Sequence, residues 1–209
     1  MSLPVIVADD HPLFRAALVA AVTGAAPGRA VQEEETLGGA LKRLGEGPAG
    51  LLTLDLHMPD SDGLAGLLQV RSAYPSVPVI VVSGDTGPGL AARAARLGAS
   101  GFVPKSSELS IIREAVATVL DGGLWLPDDA EASEEDEALA SLTPTQLKVL
   151  LMVRDGLLNK QIAYEMHISE ATVKAHMTAV MQKLSVQTRT QAAMVARALD
   201  VRPSDRSEG

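Results

Sequence analysis

Short apolar runs alternate with amphipathic stretches from Met1 to about Asp121. "PVIVADD" (4–10), "LLTLD" (51–55) and "VPVIVVSGD" (77–85) are rich in Val, Ile and Leu and end in turn residues. That is the pattern of parallel strands buried on both faces. "GFVPK" (101–105) reads as a shorter fifth strand, and the more polar "RAVQEEE" (29–35) suits a sheet edge. Between them, Phe14, Leu18 and Ala21 share one helical face after Pro12, with Gly24 as the expected stop. Leu109, Ile112, Val116 and Leu120 mark another helix, closed by Gly122 and Gly123. Alternating strand and helix predicts an α/β doubly wound five-stranded parallel sheet. Ligands of such sheets bind outside the carboxyl ends of the strands.

The pattern changes after residue 125. "LPDDAEASEEDEALAS" (126–141) is acidic, made of small residues, and has little reason to pack. From Leu142 the chain reads as all-helical. Thr143-Pro144-Thr145-Gln146 combines an N-cap, a first-turn proline and a capping-box glutamine. Asp155-Gly156 ends that helix, "NKQIAYEMH" (159–167) is a short second one, and "SEATVKAHMTAVMQKL" (169–184) a longer third capped by Ser169. A fourth is expected from about Thr190 to Asp200. The predicted organisation is a domain over 1–125, an acidic linker over 126–140, a small four-helix domain over 141–202 and a tail over 203–209.

Charge sharpens this division. The net charge of −8 would argue against nucleic acid if it were evenly spread. Residues 1–125 carry 9 basic and 13 acidic side chains, 126–140 carry 7 acidic and none basic, and 141–202 carry 8 basic and 4 acidic. A basic module therefore hides behind an acidic connector. The seven linker carboxylates suggest an intramolecular shield for the basic face, whose deletion over Asp128–Glu137 would raise DNA affinity at low salt. With no cysteine, disulfides and thiolate metal sites are excluded. No apolar run is long enough for a membrane span, and the start lacks the features of a secretory signal, so a cytoplasmic protein is expected.

The strand ends carry the candidate chemistry. Strand 1 ends in Asp9-Asp10, strand 3 in Asp55, strand 4 in Ser83 and strand 5 in Lys105. In a sheet of order 2-1-3-4-5 these groups converge. Three neighbouring carboxylates repel one another, and a hard divalent cation, best Mg²⁺, removes that penalty. A carboxylate can be the nucleophile toward a phosphoryl group, with a cation and a lysine neutralising the transferring oxygens.

On the ordered motifs "ADD", "LDLHMPDSDG", "VVSGD" and "GFVPK", residues 4–121 resemble the receiver domain of two-component response regulators, with its flavodoxin-like strand order. The resemblance implies that Asp55 is the phosphoacceptor and that Asp9, Asp10, Asp55 and the His57 backbone carbonyl surround Mg²⁺. It further implies that Ser83 and Lys105 contact the phosphoryl group and that Phe102 is the aromatic switch residue. Two departures stand out. Pro104 precedes Lys105 where many receivers have a proline after it, and His57 and Asp85 flank the path of water to an acyl phosphate. Replacing either of the latter is expected to change the lifetime of the phosphorylated protein without abolishing phosphorylation, which a decay assay measures. His11 and His57 have no second ligand at metal spacing, and Asp60 and Asp62 read as loop carboxylates.

"NKQIA…ISEATVKAHM…KL…RTQAA" resembles the LuxR-type DNA-binding domain, which makes the whole layout that of the NarL/FixJ response regulators. The resemblance assigns Lys160, Thr172 and Lys183 to the DNA backbone and Lys174, Ala175 and Thr178 to base edges. It makes the last helix the dimer contact. The implied partners are promoter DNA with two half-sites, a cognate sensor histidine kinase and a second copy of the chain, with no membrane. Leu158 stands where the family usually has a capping serine, so Asn159 is expected to take that role; Ser185 replaces a common glycine. Three other readings stand beside this one: a transcription regulator independent of phosphorylation, an aspartate-based phosphatase, and a LuxR protein that binds a signal molecule. The phosphatase needs a second acid two residues after its nucleophile, where this chain has His57. The ligand-binding protein would need a pocket in place of the carboxylate cluster.

Overall fold

The computed structural model describes residues 2–87, 89–126 and 133–200, without the side chain of Asp62. Residues 127–132 of the expected linker and the whole tail lie outside the described residues. Five parallel strands, β1 (Val5–Ala8), β2 (Val31–Glu34), β3 (Leu51–Asp55), β6 (Val79–Ser83) and β7 (Gly101–Pro104), form a sheet of order β2-β1-β3-β6-β7. This is the expected order once a small hairpin, β4 (His57–Met58) with β5 (Ser61–Asp62), is set apart. β1, β3 and β6 are buried along their whole length, whereas β2 is half exposed at its edge.

Helices α1 (Pro12–Ala25) and α5 (Leu109–Leu120) cover one face, packing Leu18, Val22, Ile112 and Val116 on Val5, Val7, Ile80 and Val82. The other face carries α2 (Leu37–Glu46), α3 (Ala65–Ala73) and α4 (Leu90–Arg96). Gly24 does not stop α1, which runs on to Ala25. A Cβ on Gly24 would sit 3.2 Å from Cδ of Arg113, so the glycine admits α5 rather than ending its own helix. Asp60 is more than a loop carboxylate: its two oxygens accept the N–H groups of Leu37 and Gly38, each at 2.8 Å, at the start of α2. That is where the helix dipole favours negative charge.

The chain after Asp121 adds one bridge to the sheet, Trp125 pairing in parallel with Gly101. The N–H of Phe102 donates to the Trp125 carbonyl, and the N–H of Trp125 to the Ser100 carbonyl, both at 2.9 Å. The missing donor of Pro104 costs the inner ladder nothing, because Lys105 donates to the Ser83 carbonyl at 2.7 Å.

The second half of the connector differs from expectation. Residues Glu134–Ala140 form α6, capped by Ser133, with Leu139 buried. Acidic composition argued for an unpacked segment, but four carboxylates in a first turn suit a helix N-terminus. Beyond it stand α7 (Pro144–Arg154), α8 (Asn159–Met166), α9 (Glu170–Lys183) and α10 (Arg189–Arg197). The Thr143–Gln146 capping box is present, as is the Ser169 cap. Val173, Met177, Val180 and Leu184 are buried, as their spacing predicts. The core of this helical domain is continuous with the α2–α4 side of the sheet, α7 lying against α3.

Candidate functional site

The parallel ladder places the candidate side chains. β1 pairs with β3, β3 with β6 and β6 with β7, so their carboxyl ends lie side by side. Each of these four strands ends in a candidate group, β1 in two. Asp9, Asp55 and Ser83 are buried, and Asp10 is half-buried. Nζ of Lys105 lies 2.7 Å from Oδ2 of Asp55 and 2.8 Å from Oδ2 of Asp9, bridging the two carboxylates. The same ammonium stands 5.0 Å from the ring centre of Phe14, a cation–π contact. Oδ1 of Asp55 accepts the N–H of His57 at 3.2 Å.

Burial pushes the Asp55 carboxyl above its ordinary value of 3.8; the hydrogen bond and charge of Lys105 pull it down but do not cancel the shift. A nearby Asp9 charge adds to the rise. Ionised Asp55 is therefore held in a poorly solvated place, a condition that favours a partner of positive charge.

Two buried oxygens, Oδ2 of Asp9 and Oδ1 of Asp10, have no well-aligned hydrogen-bond donor, although Nζ of Lys105 lies 2.8 Å from the first and Nδ1 of His11 2.6 Å from the second. Ligand atoms of Asp9, Asp10, His11 and Asp55 lie within 4.8 Å of one another. This donor set suits a metal ion. Sequence spacing offers His11 no second ligand, yet its Nδ1 reaches 2.6 Å from Oδ1 of Asp10. The only signal in the sequence was its adjacency to the two aspartates.

Around this cluster, Oγ of Ser83 accepts the N–H of Asp85 at 3.0 Å. Asp85 in turn accepts the N–H of Gly87 at 2.8 Å. Phe102 is buried on β7 in the core that faces α4.

The candidate DNA-binding residues gather on the helical domain. Lys174, Ala175 and Thr178 are exposed along one side of α9, opposite its buried stripe. Lys160 and Thr172 are exposed at the first turns of α8 and α9. Thr172 is tied to the Ser169 cap, with 2.8 Å between their hydroxyl oxygens. Lys183 is exposed but donates to the Ser141 carbonyl at 2.6 Å, so it must leave that carbonyl to meet a phosphate.

Asn159 does not take the capping role. Leu158 is the N-cap of α8 and offers no acceptor, while Oδ1 of Asn159 accepts from Arg189 at 2.8 Å. Oε1 of Gln161 still accepts the Leu158 N–H at 2.7 Å, so half of a capping box survives. Leu158 is 67% exposed and has little burial to lose. Leu158→Ser is expected to stabilise the fold by about 1 kcal/mol, read as a rise in the urea midpoint at unchanged slope. Ser185 takes the glycine's role directly, adopting the left-handed φ of 54° that ends α9.

A luxR family of bacterial regulatory proteins matches residues 140–196, and the response regulator receiver domain matches residues 5–117. The chain belongs to the response regulator family and joins a receiver to a LuxR-type DNA-binding domain, as a transcriptional regulator. The glycerol metabolism activator of Pseudomonas putida is 38% identical over 211 residues, covering 94% of this chain and 96% of that one. The DNA-binding transcriptional activator DevR/DosR of Mycobacterium tuberculosis is 30% identical, covering 92% and 93%. RcsB of Salmonella enterica serovar Typhimurium, solved on a promoter with a phosphomimetic, shares the fold at TM-score 0.56 and 23% identity, covering 94% of this chain and 98% of that one. Among the described residues no helix is long and apolar enough to cross a membrane.

Proposed function

We propose that Asp55 accepts a phosphoryl group from a sensor histidine kinase and that this modification switches the chain's binding to promoter DNA. The observation that carries the reading is Lys105 bridging Asp55 and Asp9 at adjoining strand ends. A carboxylate oxygen of Asp55 attacks phosphorus as the bond from phosphorus to the donor imidazole breaks, and the imidazole leaves with the electron pair. Lys105 neutralises charge on the transferring oxygens, and the Ser83 hydroxyl donates to one of them. Asp9, Asp10, Asp55 and the His57 carbonyl would hold Mg²⁺, which when bound supplies further charge neutralisation.

The DNA reading rests on the exposed side of α9. Lys174, Ala175 and Thr178 face base edges, Lys160, Thr172 and Lys183 face phosphates, and two copies joined through α10 occupy two half-sites. No arginine or asparagine is among these residues for bidentate base pairing, so thymine methyls and DNA shape carry much of the specificity. Lys174→Ala is expected to weaken binding. If Lys174 contacts phosphate, the loss is uniform across sequences and the salt slope falls by about 1; if it reads a base, the selected sequence changes at one position.

The test of the whole reading is selection of duplexes from a random pool by the full chain, with and without acetyl phosphate and Mg²⁺. Enrichment of one paired motif only with the phosphodonor supports it. Equal enrichment in both arms favours the alternative, a regulator controlled by a partner or by abundance.

A further inference from the structure

We propose that His11 is a nitrogen ligand of the acidic hollow, which therefore takes a late first-row transition ion of the Co²⁺ to Zn²⁺ class in preference to Mg²⁺. The inference rests on the reading of Asp9, Asp10 and Asp55 as a metal site and names the class of ion that this chain's own donor set selects.

The imidazole is presented by a pinned backbone. His11 precedes Pro12, a position held out of the helical region, and its φ of −88° and ψ of 106° are extended. Its N–H donates to Oδ1 of Asp9 at 2.8 Å, and its carbonyl accepts the N–H of Arg15 at 2.9 Å, opening α1. Nη1 of Arg15 donates in turn to the Asp9 carbonyl at 2.7 Å, while the same guanidinium reaches Glu33 and Glu35 at the end of β2. The turn that carries Asp9, Asp10 and His11 is thus braced from β2 as well as from α1.

From that turn the ring leans inward. The His11 side chain is 66% exposed, so packing does not force it toward the carboxylates. Nδ1 nevertheless lies 2.6 Å from Oδ1 of Asp10, 3.6 Å from Oδ1 of Asp9 and 4.0 Å from Oδ2 of Asp55. Donors bound to one ion at about 2.1 Å stand about 3 Å apart when adjacent and about 4.2 Å apart when opposite. The distances to Asp9 and Asp55 fall inside that range, and the distance to Asp10 needs only about 0.4 Å more. The side chain of Asp9 is wholly buried, and its Oδ2 has Lys105 beside it but no well-aligned hydrogen-bond donor. Lys105 brings one positive charge to three carboxylates, and the ring stands beside Asp10, the acid outside the lysine's bridge.

The donor set decides the ion. Mg²⁺ takes oxygen ligands and sheds its waters reluctantly. Imidazole suits the later transition ions, whose affinity for nitrogen and oxygen sites climbs from Mn²⁺ toward Cu²⁺. Carboxylates alone already follow that order, so the mark of His11 is a difference between ions. Its loss should weaken a transition ion and spare Mg²⁺. A histidine that only donates a hydrogen bond to Asp10 would shift both ions alike.

Calorimetry of the full chain at one pH compares Co²⁺ with Mg²⁺ in the parent and in His11→Asn, which retains a good N-cap residue and a side-chain donor for Asp10. Outer-shell partners of a metal are worth about 10–100-fold in affinity, so loss of a ligand should weaken Co²⁺ by about tenfold or more. Mg²⁺ should weaken by less than about threefold. Electron spin echo modulation with substoichiometric Cu²⁺ reads the ligand directly, because a coordinated imidazole modulates the echo through its remote nitrogen. The modulation should be present in the parent and in His167→Asn, a control for imidazole elsewhere on the surface, and absent from His11→Asn. Equal weakening of both ions, or an echo that lacks modulation in the parent or keeps it in His11→Asn, overturns His11 as a ligand. A parent that binds neither ion, or binds both as well after Asp55→Asn, instead overturns the metal reading on which the proposal stands.

Discussion

Asp55→Asn yields a chain that takes up no phosphoryl group from acetyl phosphate, yet is at least as stable as the parent in EDTA at neutral pH. Both halves follow from the same burial. Asparagine has no anionic oxygen to attack phosphorus, so the covalent step is lost outright. The parent's carboxyl, however, is raised above its ordinary value chiefly by desolvation. A group raised in the folded state contributes stability below its unfolded pKa and loses it as pH rises through the folded value. The advantage of the variant should therefore grow from about pH 4 upward and level off once Asp55 is ionised. Mg²⁺ should reverse the order, since ten times its dissociation constant adds about 1.4 kcal/mol to the parent and less to the variant. Intact-mass measurement and thermal melts across pH check both halves. A phosphorylated variant, or one that melts well below the parent in EDTA, contradicts the assignment.

Lys105→Met should be the most destabilising single change at the site. Exposed ion pairs are worth about 0–1 kcal/mol, but Asp9 and Asp55 are buried and share this one ammonium. Removing it leaves two uncompensated charges, a loss of about 3–5 kcal/mol at neutral pH without metal. The sign of the pH dependence is fixed by the same logic. Without Lys105 the largest influences lowering the Asp55 pKa are gone, so the variant's carboxyl is raised further and its deficit widens as pH rises from about 4 to 7. Urea titrations at several pH values, with and without Mg²⁺, measure it. A deficit that is the same at pH 4 and pH 7 would show that methionine acts through packing alone.

How far the sequence led depended on whether the signal was local. β1, β3 and β6 were readable because a strand buried on both faces must be apolar throughout, and the four strand-end groups followed from the topology. The α9 stripe was equally legible, since Val173, Met177, Val180 and Leu184 repeat at helical spacing. Other features depend on a distant partner. Gly24 looks like a helix stop until Arg113 of α5 is brought against it. Asp60 looks like a loop acid until it meets the start of α2. His11 reads as lacking a metal partner until its ring meets Asp10. The sharpest case is Asp136, one acid among seven in the connector, buried only because two arginines forty residues away face it.

Trp125 sets a leash on this machinery. Its backbone pairs with Ser100 and Phe102 and pins the receiver's last turn to the outer strand, leaving residues 127–132 before the Ser133 cap of α6. So short a span cannot stretch beyond about 25 Å. Even with α7 parted from α3, the helical domain would stay beside the receiver at a local concentration on the order of millimolar.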